Sequence, residues 1–222
     1  MDVSAVIVAA GKSVRANGVD KNFIKIYGKY IVEFSIEVFS KVSNIKEIIL
    51  VLNDENFPKG EELLRKYPAL KLVKGGAFRA QSVKNGVGFA RFDLVLVHDG
   101  ARPFITKNLV QSIFENLEEF NCVIPVIPVR QTVKEVENGF VKRTLDRTKL
   151  FEVQTPEGFK RDVLLKLYDR FEISEQIFDE SILFEMANIP VKVVSGLHEN
   201  FKITTPFDIF LAELMAKTWK YE

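Results

Sequence analysis

One cysteine in 222 residues, Cys122, leaves no partner for an internal disulfide and too few thiols for a cysteine-rich zinc site. It precedes the apolar run Val123-Ile124-Pro125-Val126, which fits a buried and inert thiol. No run of about 18 apolar residues is present, so no membrane-spanning helix is expected. Neither charge dominates: 31 Lys and Arg face 30 Asp and Glu, a formal net charge of +1. Wholesale nucleic-acid binding, which needs a strongly basic surface, is therefore not expected. The only histidines, His98 and His198, lie far apart without metal-ligand spacing, and no cluster of carboxylates could cage a metal. Met1-Asp2-Val3-Ser4 has no basic region ahead of an apolar one. No signal peptide is expected, and the chain should work in a reducing cytoplasm. Internal repeats, low-complexity tracts and long linkers are also missing.

What is present is a steady alternation of short apolar runs and helical patterns. Hydrophobic residues make up 47%, enough for an ordered core, and the length suits one α/β domain over residues 1–222. Val3 to Ala9, Glu47 to Leu52, Lys71 to Lys74, Leu94 to His98 and Cys122 to Ile127 read as strands. Helices are expected between them over Tyr30 to Val42, Glu61 to Lys66, Arg79 to Arg91 and Leu109 to Phe120, the third weakened by Gly86 and Gly88. This rhythm predicts a mostly parallel sheet with right-handed crossovers. Ligands of such sheets bind outside the carboxyl ends of the strands, so the loops after Ala9, Lys74 and His98 should converge on one crevice.

The rhythm then changes. Thr132 to Glu137 and Phe140 to Leu145 flank Asn138-Gly139, a strong two-residue hairpin signal. Both strands carry charges, which unsuits them to a sheet core. At about eight residues each the strands would reach roughly 25 Å, so residues 130–153 read as a projecting arm. Helices near Lys160 to Phe171 and Asp179 to Ala187 and a strand at Val191 to Ser195 follow. Thr205-Pro206-Phe207-Asp208 opens a last helix, with threonine as cap, proline at the first helical position and aspartate able to return the capping bond. Trp219 and Tyr221 are expected to pack.

Five segments could carry chemistry. In Ala9-Ala10-Gly11-Lys12-Ser13-Val14-Arg15, small residues allow close backbone approach and free N–H groups can cradle phosphates, with Lys21 soon after. Val6 stands where a Walker A motif needs glycine, and Ser13 where a dinucleotide fingerprint needs one. Taken alone, this loop equally fits a tight strand-to-helix turn with solvated basic residues. Gly75-Gly76-Ala77-Phe78-Arg79-Ala80-Gln81-Ser82 permits backbone contact with a flat ligand and offers the Ser82 hydroxyl, but also fits a capped glycine turn. In Val97-His98-Asp99-Gly100-Ala101-Arg102-Pro103, Asp99 stands at a strand end suited to a ribose or a metal-bound phosphate. Arg102 suits a phosphate, or the two form a salt bridge. The fourth segment is Thr144-Leu145-Asp146-Arg147-Thr148 with Gln154-Thr155-Pro156, and the fifth is Asn200-Phe201-Lys202-Ile203-Thr204-Thr205-Pro206. A lysine at an element end, as Lys202 is, suits an anionic ligand or snorkels to solvent.

In this order, from about Val3 to Leu214, the five segments resemble the 2-C-methyl-D-erythritol 4-phosphate cytidylyltransferases of the non-mevalonate isoprenoid pathway. His98-Asp99-Gly100-Ala101-Arg102-Pro103-Phe104 matches a very characteristic stretch, as do Leu145-Asp146-Arg147 with Gln154-Thr155-Pro156 and Lys202-Ile203-Thr204 with Pro206. The resemblance implies an α/β, Rossmann-like, mostly parallel sheet with helices on both faces, of the nucleotide-diphospho-sugar transferase kind, with the hairpin arm added. It implies transfer of CMP from CTP to methylerythritol phosphate with release of pyrophosphate. By it, Ala9, Ala10, Gly11, Lys12, Gly76, Ser82, Asp99 and Gly100 bind the nucleotide. Arg102, Thr132, Arg147, Thr155 and Lys202 bind the acceptor, and Arg15, Lys21, Arg147 and Lys202 carry catalysis. Mg²⁺ would be bound chiefly through the CTP phosphates, without a dedicated protein site. The chain would act as a homodimer through residues 130–153, with no nucleic-acid or membrane partner. Ser13, Asp20, Asn22, Ala77, Gln81, Gly100 and Phe178 depart from the family's usual residues. Two alternatives share these motifs: a ribitol 5-phosphate cytidylyltransferase, against which the Leu145-Asp146-Arg147 context leans, and a non-catalytic CTP-sensing subunit, against which Arg15, Lys21 and Lys202 argue.

Overall fold

Strands that read as unbroken apolar runs do so because both of their faces are covered. In a computed structural model of the chain, which describes residues 1–11 and 20–219, Val3, Ala5, Ile7 and Ala9 of the first strand point into one apolar layer and Val6 into the other. The elements run β1 (Val3–Ala9), a small hairpin β2 (Lys25–Ile26) and β3 (Lys29–Tyr30), α1 (Ile31–Ser40), β4 (Ile45–Leu52), α2 (Phe57–Lys66) and β5 (Leu70–Lys74). There follow α3 (Arg79–Phe89), β6 (Leu94–Asp99), α4 (Lys107–Asn116), β7 (Cys122–Pro128), β8 (Lys134–Glu137), β9 (Phe140–Thr144), β10 (Phe151–Val153) and β11 (Glu157–Lys160). The chain ends with α5 (Arg161–Arg170), α6 (Ser181–Met186), β12 (Lys192–Ser195) and α7 (Pro206–Ala216).

The expected parallel core is present: β5, β4, β1 and β6 lie side by side, all parallel. The next neighbour of β6 departs from a simple alternating order. The short β11 pairs antiparallel with both β6 and β7, so it separates two strands that would otherwise adjoin. β10 continues along the same edge of β7, and β12 takes its other edge in parallel. β12 answers to the strand expected at Val191 to Ser195, whereas β10 and β11, of three and four residues, carry too little pattern to be read as sheet members; the open edges of β6 and β7 recruit them.

Helices α1 and α4 cover one face of the sheet and α3, α5 and α6 the other. Gly86, which costs helix propensity, is what lets α3 lie close: a Cβ there would stand 2.5 Å from Val6 Cγ1 and 2.8 Å from Val51 Cγ2. α2 begins earlier than its periodicity suggests, because Pro58 sits in its first turn, where no N–H is needed. α7 opens with the expected capping box, Thr205 accepting from the Asp208 N–H and Asp208 Oδ2 from the Thr205 N–H. Trp219 packs with Phe104 in a third small cluster, whereas Tyr221 lies outside the described residues. Among the described residues no helix is long and apolar enough to cross a membrane.

The hairpin β8–β9 forms a two-stranded sheet of its own around Asn138-Gly139, both at positive φ as a type I′ turn requires. Its strands are four and five residues long, shorter than the pattern suggests. The paired region therefore spans about 15 Å. Cross-strand partners Val136 and Val141 are both exposed, as is Phe140 at 79%.

Candidate active site

The carboxyl ends of β1, β4, β5 and β6 surround a cleft of about 870 Å³. Ala10 and Gly11 leave β1, Asn53 leaves β4, Gly76 to Phe78 leave β5, and Asp99 to Ala101 leave β6. The convergence of these loops thus follows from parallel strands, all of which end on one side of the sheet. Gly75 allows the β1 and β5 loops to meet, since a Cβ there would run into Ala10 and stand 3.1 Å from Ser82 Oγ. Ser82 fixes the same turn, accepting from the Gly76 N–H at 3.0 Å and donating to Phe78 O at 3.1 Å.

Lys21, Arg79 and Lys202 all line the cleft, and Asp99 is the single carboxylate among the described residues that line it. Asp99 Oδ2 accepts from Lys202 Nζ at 2.7 Å, and Oδ1 from Arg79 Nε at 3.2 Å. Arg102 Nε stands 3.9 Å away. Burial alone would raise the Asp99 carboxyl, but the three cations outweigh it and hold it far below the usual carboxylate range. Asp99 therefore stays ionised and concentrates positive charge where an anion would enter.

Lys21 is placed by a short turn, Lys21–Phe23, which Asp20 caps. Asp20 Oδ1 accepts from Asn22 N at 2.9 Å and Nδ2 at 2.8 Å, and Oδ2 accepts from Asn56 Nδ2 at 2.6 Å. Asp20 and Asn22, both departures from the family's usual residues, are thus bonded to each other. Lys202 is placed by its loop: Ile203 N donates to Ala101 O at 2.9 Å, and Arg102 Nη1 to Asn200 O at 2.8 Å.

Behind the Asp99 loop, His98 organises the backbone. It is fully buried, edge-on to Phe39. Its Nδ1 lies 2.9 Å from Thr155 Oγ1, which also accepts from the Asp99 N–H at 3.0 Å. Its Nε2 lies 3.0 Å from Arg102 O and 2.9 Å from Ser35 Oγ. A carbonyl only accepts, so the network assigns the proton to Nε2 and makes Thr155 the donor to Nδ1. Burial pushes the imidazole down to about 4, so it is neutral at pH 7.

Of the residues singled out in the sequence, Ala10, Gly11, Lys21, Gly76, Ser82, Asp99, Gly100 and Lys202 meet in this cleft, and Ala9 ends the strand beneath it. Thr155 is buried with its hydroxyl engaged by His98 and Asp99. Arg102 is turned inward behind the wall, onto the carbonyls of Asn200 and Val153. Thr132 and Arg147 are exposed at the base of the arm, with Arg147 donating to Arg130 O at 2.6 Å; neither lines the cleft. Lys12 and Arg15 fall outside the described residues. Asn53, which sequence reasoning passed over, and Thr204, named there only as part of the fifth segment, line the cleft too. Asn53 follows a buried strand in the manner of Asp99, and that position was the available signal.

A parallel α/β sheet with a cation-rich cleft over its strand ends is the architecture of an enzyme handling phosphorylated nucleotides. Comparison with known proteins narrows the class. The family described as IspD, 2-C-methyl-D-erythritol 4-phosphate cytidylyltransferase, matches residues 3–218. A protein of that name from Dehalococcoides mccartyi is 38% identical over 220 residues, covering 97% of this chain and 96% of the relative. One from Bacillus mycoides is 38% identical over 214 residues, 94% of this chain and 95% of the relative. The crystal structure of 4-diphosphocytidyl-2C-methyl-D-erythritol synthase from Anaerococcus prevotii superposes with a TM-score of 0.85 at 30% identity, covering 97% and 96% of the two chains. That of 2-C-methyl-D-erythritol 4-phosphate cytidylyltransferase from Thermus thermophilus gives 0.81 at 31% identity, covering 98% and 100%. The chain belongs to the 2-C-methyl-D-erythritol 4-phosphate cytidylyltransferase family, and is thereby a nucleotidyltransferase.

Proposed function

We propose that this chain transfers CMP from CTP to 2-C-methyl-D-erythritol 4-phosphate, giving 4-diphosphocytidyl-2-C-methyl-D-erythritol and pyrophosphate. The observation that carries the reading is the cleft lined by Lys21, Arg79 and Lys202, the last two paired to Asp99, in a chain matched by the family over nearly its whole length. The acceptor is already an anion, so no general base is needed. A phosphate oxygen of the acceptor bonds to the α-phosphorus of CTP; the bond from that phosphorus to the bridging oxygen breaks, and pyrophosphate leaves with the electron pair. The difficulty is bringing two anions together, so catalysis is positioning plus electrostatic stabilisation.

Ala9, Ala10, Gly11, Gly76, Ser82, Asp99 and Gly100 would hold the nucleotide, with Lys12 at its triphosphate. Arg15 and Lys21 would stabilise the crowded transition state. Lys202 would hold the acceptor phosphate, with Arg102 and Thr155 behind it. Asp99 is the one carboxylate among the described residues that line the cleft, and Mg²⁺ would arrive chiefly on the CTP phosphates. When bound, that ion would screen phosphate charge.

The chain would work in the cytoplasm as one nucleotidyltransferase domain, dimerised through residues 130–153. The exposed apolar pair Val136 and Val141 supports a partner over the arm, because an uncovered two-stranded sheet is at best marginally stable. An isologous contact would set Thr132 and Arg147 of each subunit beside the cleft of the other.

Pyrophosphate release is the test. CTP with methylerythritol phosphate should turn over; CTP with ribitol 5-phosphate, and UTP with either, should be slower by at least about 10² in kcat/KM, as for sites that read a base by hydrogen bonds. Equal rates with ribitol 5-phosphate would overturn the acceptor assignment.

A further inference from the structure

Asp99 is oriented by more than its own strand. Glu180, at the entry to α6 and fully buried, lines no part of the cleft. Its two oxygens accept from Arg79 Nη1 at 3.0 and 2.8 Å, and Tyr168 of α5 donates to Oε1 at 3.2 Å. The same guanidinium donates from Nε to Asp99 Oδ1, while Lys202 donates to Asp99 Oδ2. Tyr168, Glu180, Arg79, Asp99 and Lys202 thus form one unbroken chain of hydrogen bonds from the α5–α6 layer to the cleft wall.

The geometry of the fork matters. A guanidinium facing a lone carboxylate prefers to bind it with two donors. Here it meets Asp99 through Nε alone, while both oxygens of Glu180 hold Nη1, on the side of the guanidinium away from Nε–H, and so fix the plane of the group. A second buried carboxyl, Glu157 on β11, does not compete. Neither of its oxygens has a hydrogen-bond partner among the described residues, and burial together with Glu180 pushes it well above the usual carboxylate range; burial raises Glu180 too, but there the Arg79 guanidinium opposes the shift directly.

We propose that Glu180 is a positioning residue: it restrains Arg79 to a single contact with Asp99, and so keeps the remaining acceptor sites of that carboxylate open to Lys202 and the nucleotide. Without Glu180, Arg79 would turn a second donor onto Asp99 and close it off. The inference rests on the reading that Asp99 faces the nucleotide.

Steady-state kinetics of the full chain test it, with CTP varied at saturating acceptor and binding of a non-reactive CTP analogue measured alongside. Glu180→Gln should raise KM for CTP, and weaken the analogue, by about tenfold, with kcat reduced less than about threefold; one charge-assisted contact is of that size. Glu180→Asp, which restores the charge, should recover most of the loss. Arg79→Lys keeps a cation beside Asp99 but has no second donor to turn onto it, so adding Glu180→Gln to Arg79→Lys should raise KM for CTP by less than about twofold over Arg79→Lys alone. This pair carries the test if Glu180→Gln fails to fold by itself. Unchanged KM in Glu180→Gln, a fall in kcat alone, or Glu180→Asp as impaired as Glu180→Gln would overturn the proposal. Asp99→Asn separates the two levels. If it leaves KM for CTP unchanged, the reading of Asp99 itself fails; if it raises KM while Glu180→Gln does not, only the role of Glu180 fails.

Discussion

The cleft wall and the arm are both rich in ion pairs, yet the pairs do different things. In the arm, Glu135 meets Arg143 at 2.5 Å and Lys142 at 3.2 Å, with the two basic side chains 68% and 55% exposed. Water and salt screen such pairs, so they contribute little. At the cleft, Asp99 meets Lys202 at a similar 2.7 Å, but its own side chain is only 11% exposed and further cations surround it. There the carboxylate is desolvated and cannot relax, so removing a cation leaves it short of partners. Close contact alone does not make a pair functional; burial and the number of neighbours do.

The strongest way to break this contrast is to remove a cleft cation. Lys21→Ala should lower kcat by about 10²–10³, as loss of a preorganised electrostatic group does, with the fold intact by circular dichroism. Near wild-type turnover would remove Lys21 from the transition state.

The next effect is on stability. The buried His98 titrates at about 4, below its unfolded value of about 6.5. Between those pH values the unfolded chain binds a proton that the folded chain refuses, so stability falls as pH falls through this window and the contribution then levels off. The expected loss is on the order of 3 kcal/mol. Urea titrations of the wild type and His98→Gln at pH 7 and pH 4 check it: the variant should lose correspondingly less between the two.

Mixing sharpens the role of the arm. Arg147→Ala and Lys202→Ala should each be nearly inactive alone. If the arm of one subunit serves the cleft of the other, random exchange makes half the dimers mixed, each with one intact site. Activity should then recover to about a quarter of wild type. No recovery, with mixed dimers shown by mass spectrometry, would place Arg147 at its own chain's cleft.

The smallest effect is expected within the arm's own charges. Glu137, 65% exposed and paired to Lys142 at 3.3 Å, should be replaceable by Gln at a cost below about 0.5 kcal/mol. A larger loss of melting stability would show that this pair is buried in the assembly.

Much of this was legible along the chain, for identifiable reasons. The strands β1, β4, β6 and β7 announce themselves because both faces are buried, and their loops must converge because parallel strands end together. Thr205 and Asp208 declare a helix start because a cap is satisfied within four residues. The hairpin turn was equally plain at Asn138-Gly139, though not how little of each arm would pair. The buried polar residues were silent. Arg79 and Glu180 are 101 residues apart, and His98 and Ser35 are 63 apart. Nothing around Glu180 marks it as buried, and nothing around His98, which has no metal-ligand spacing, marks it as a strut.

Local sequence alone determined the alternation of strands and helices, the loops that form the cleft and the supply of cations around it, because each depends on periodicity, turn chemistry or charge within a few residues. Only the tertiary structure decided that β11 would part β6 from β7, that His98 would be a neutral buried strut, and that Asp99 would be held between Arg79 and Lys202. Those outcomes depend on desolvation and on partners brought from distant parts of the chain, and desolvation exists only once the core has closed.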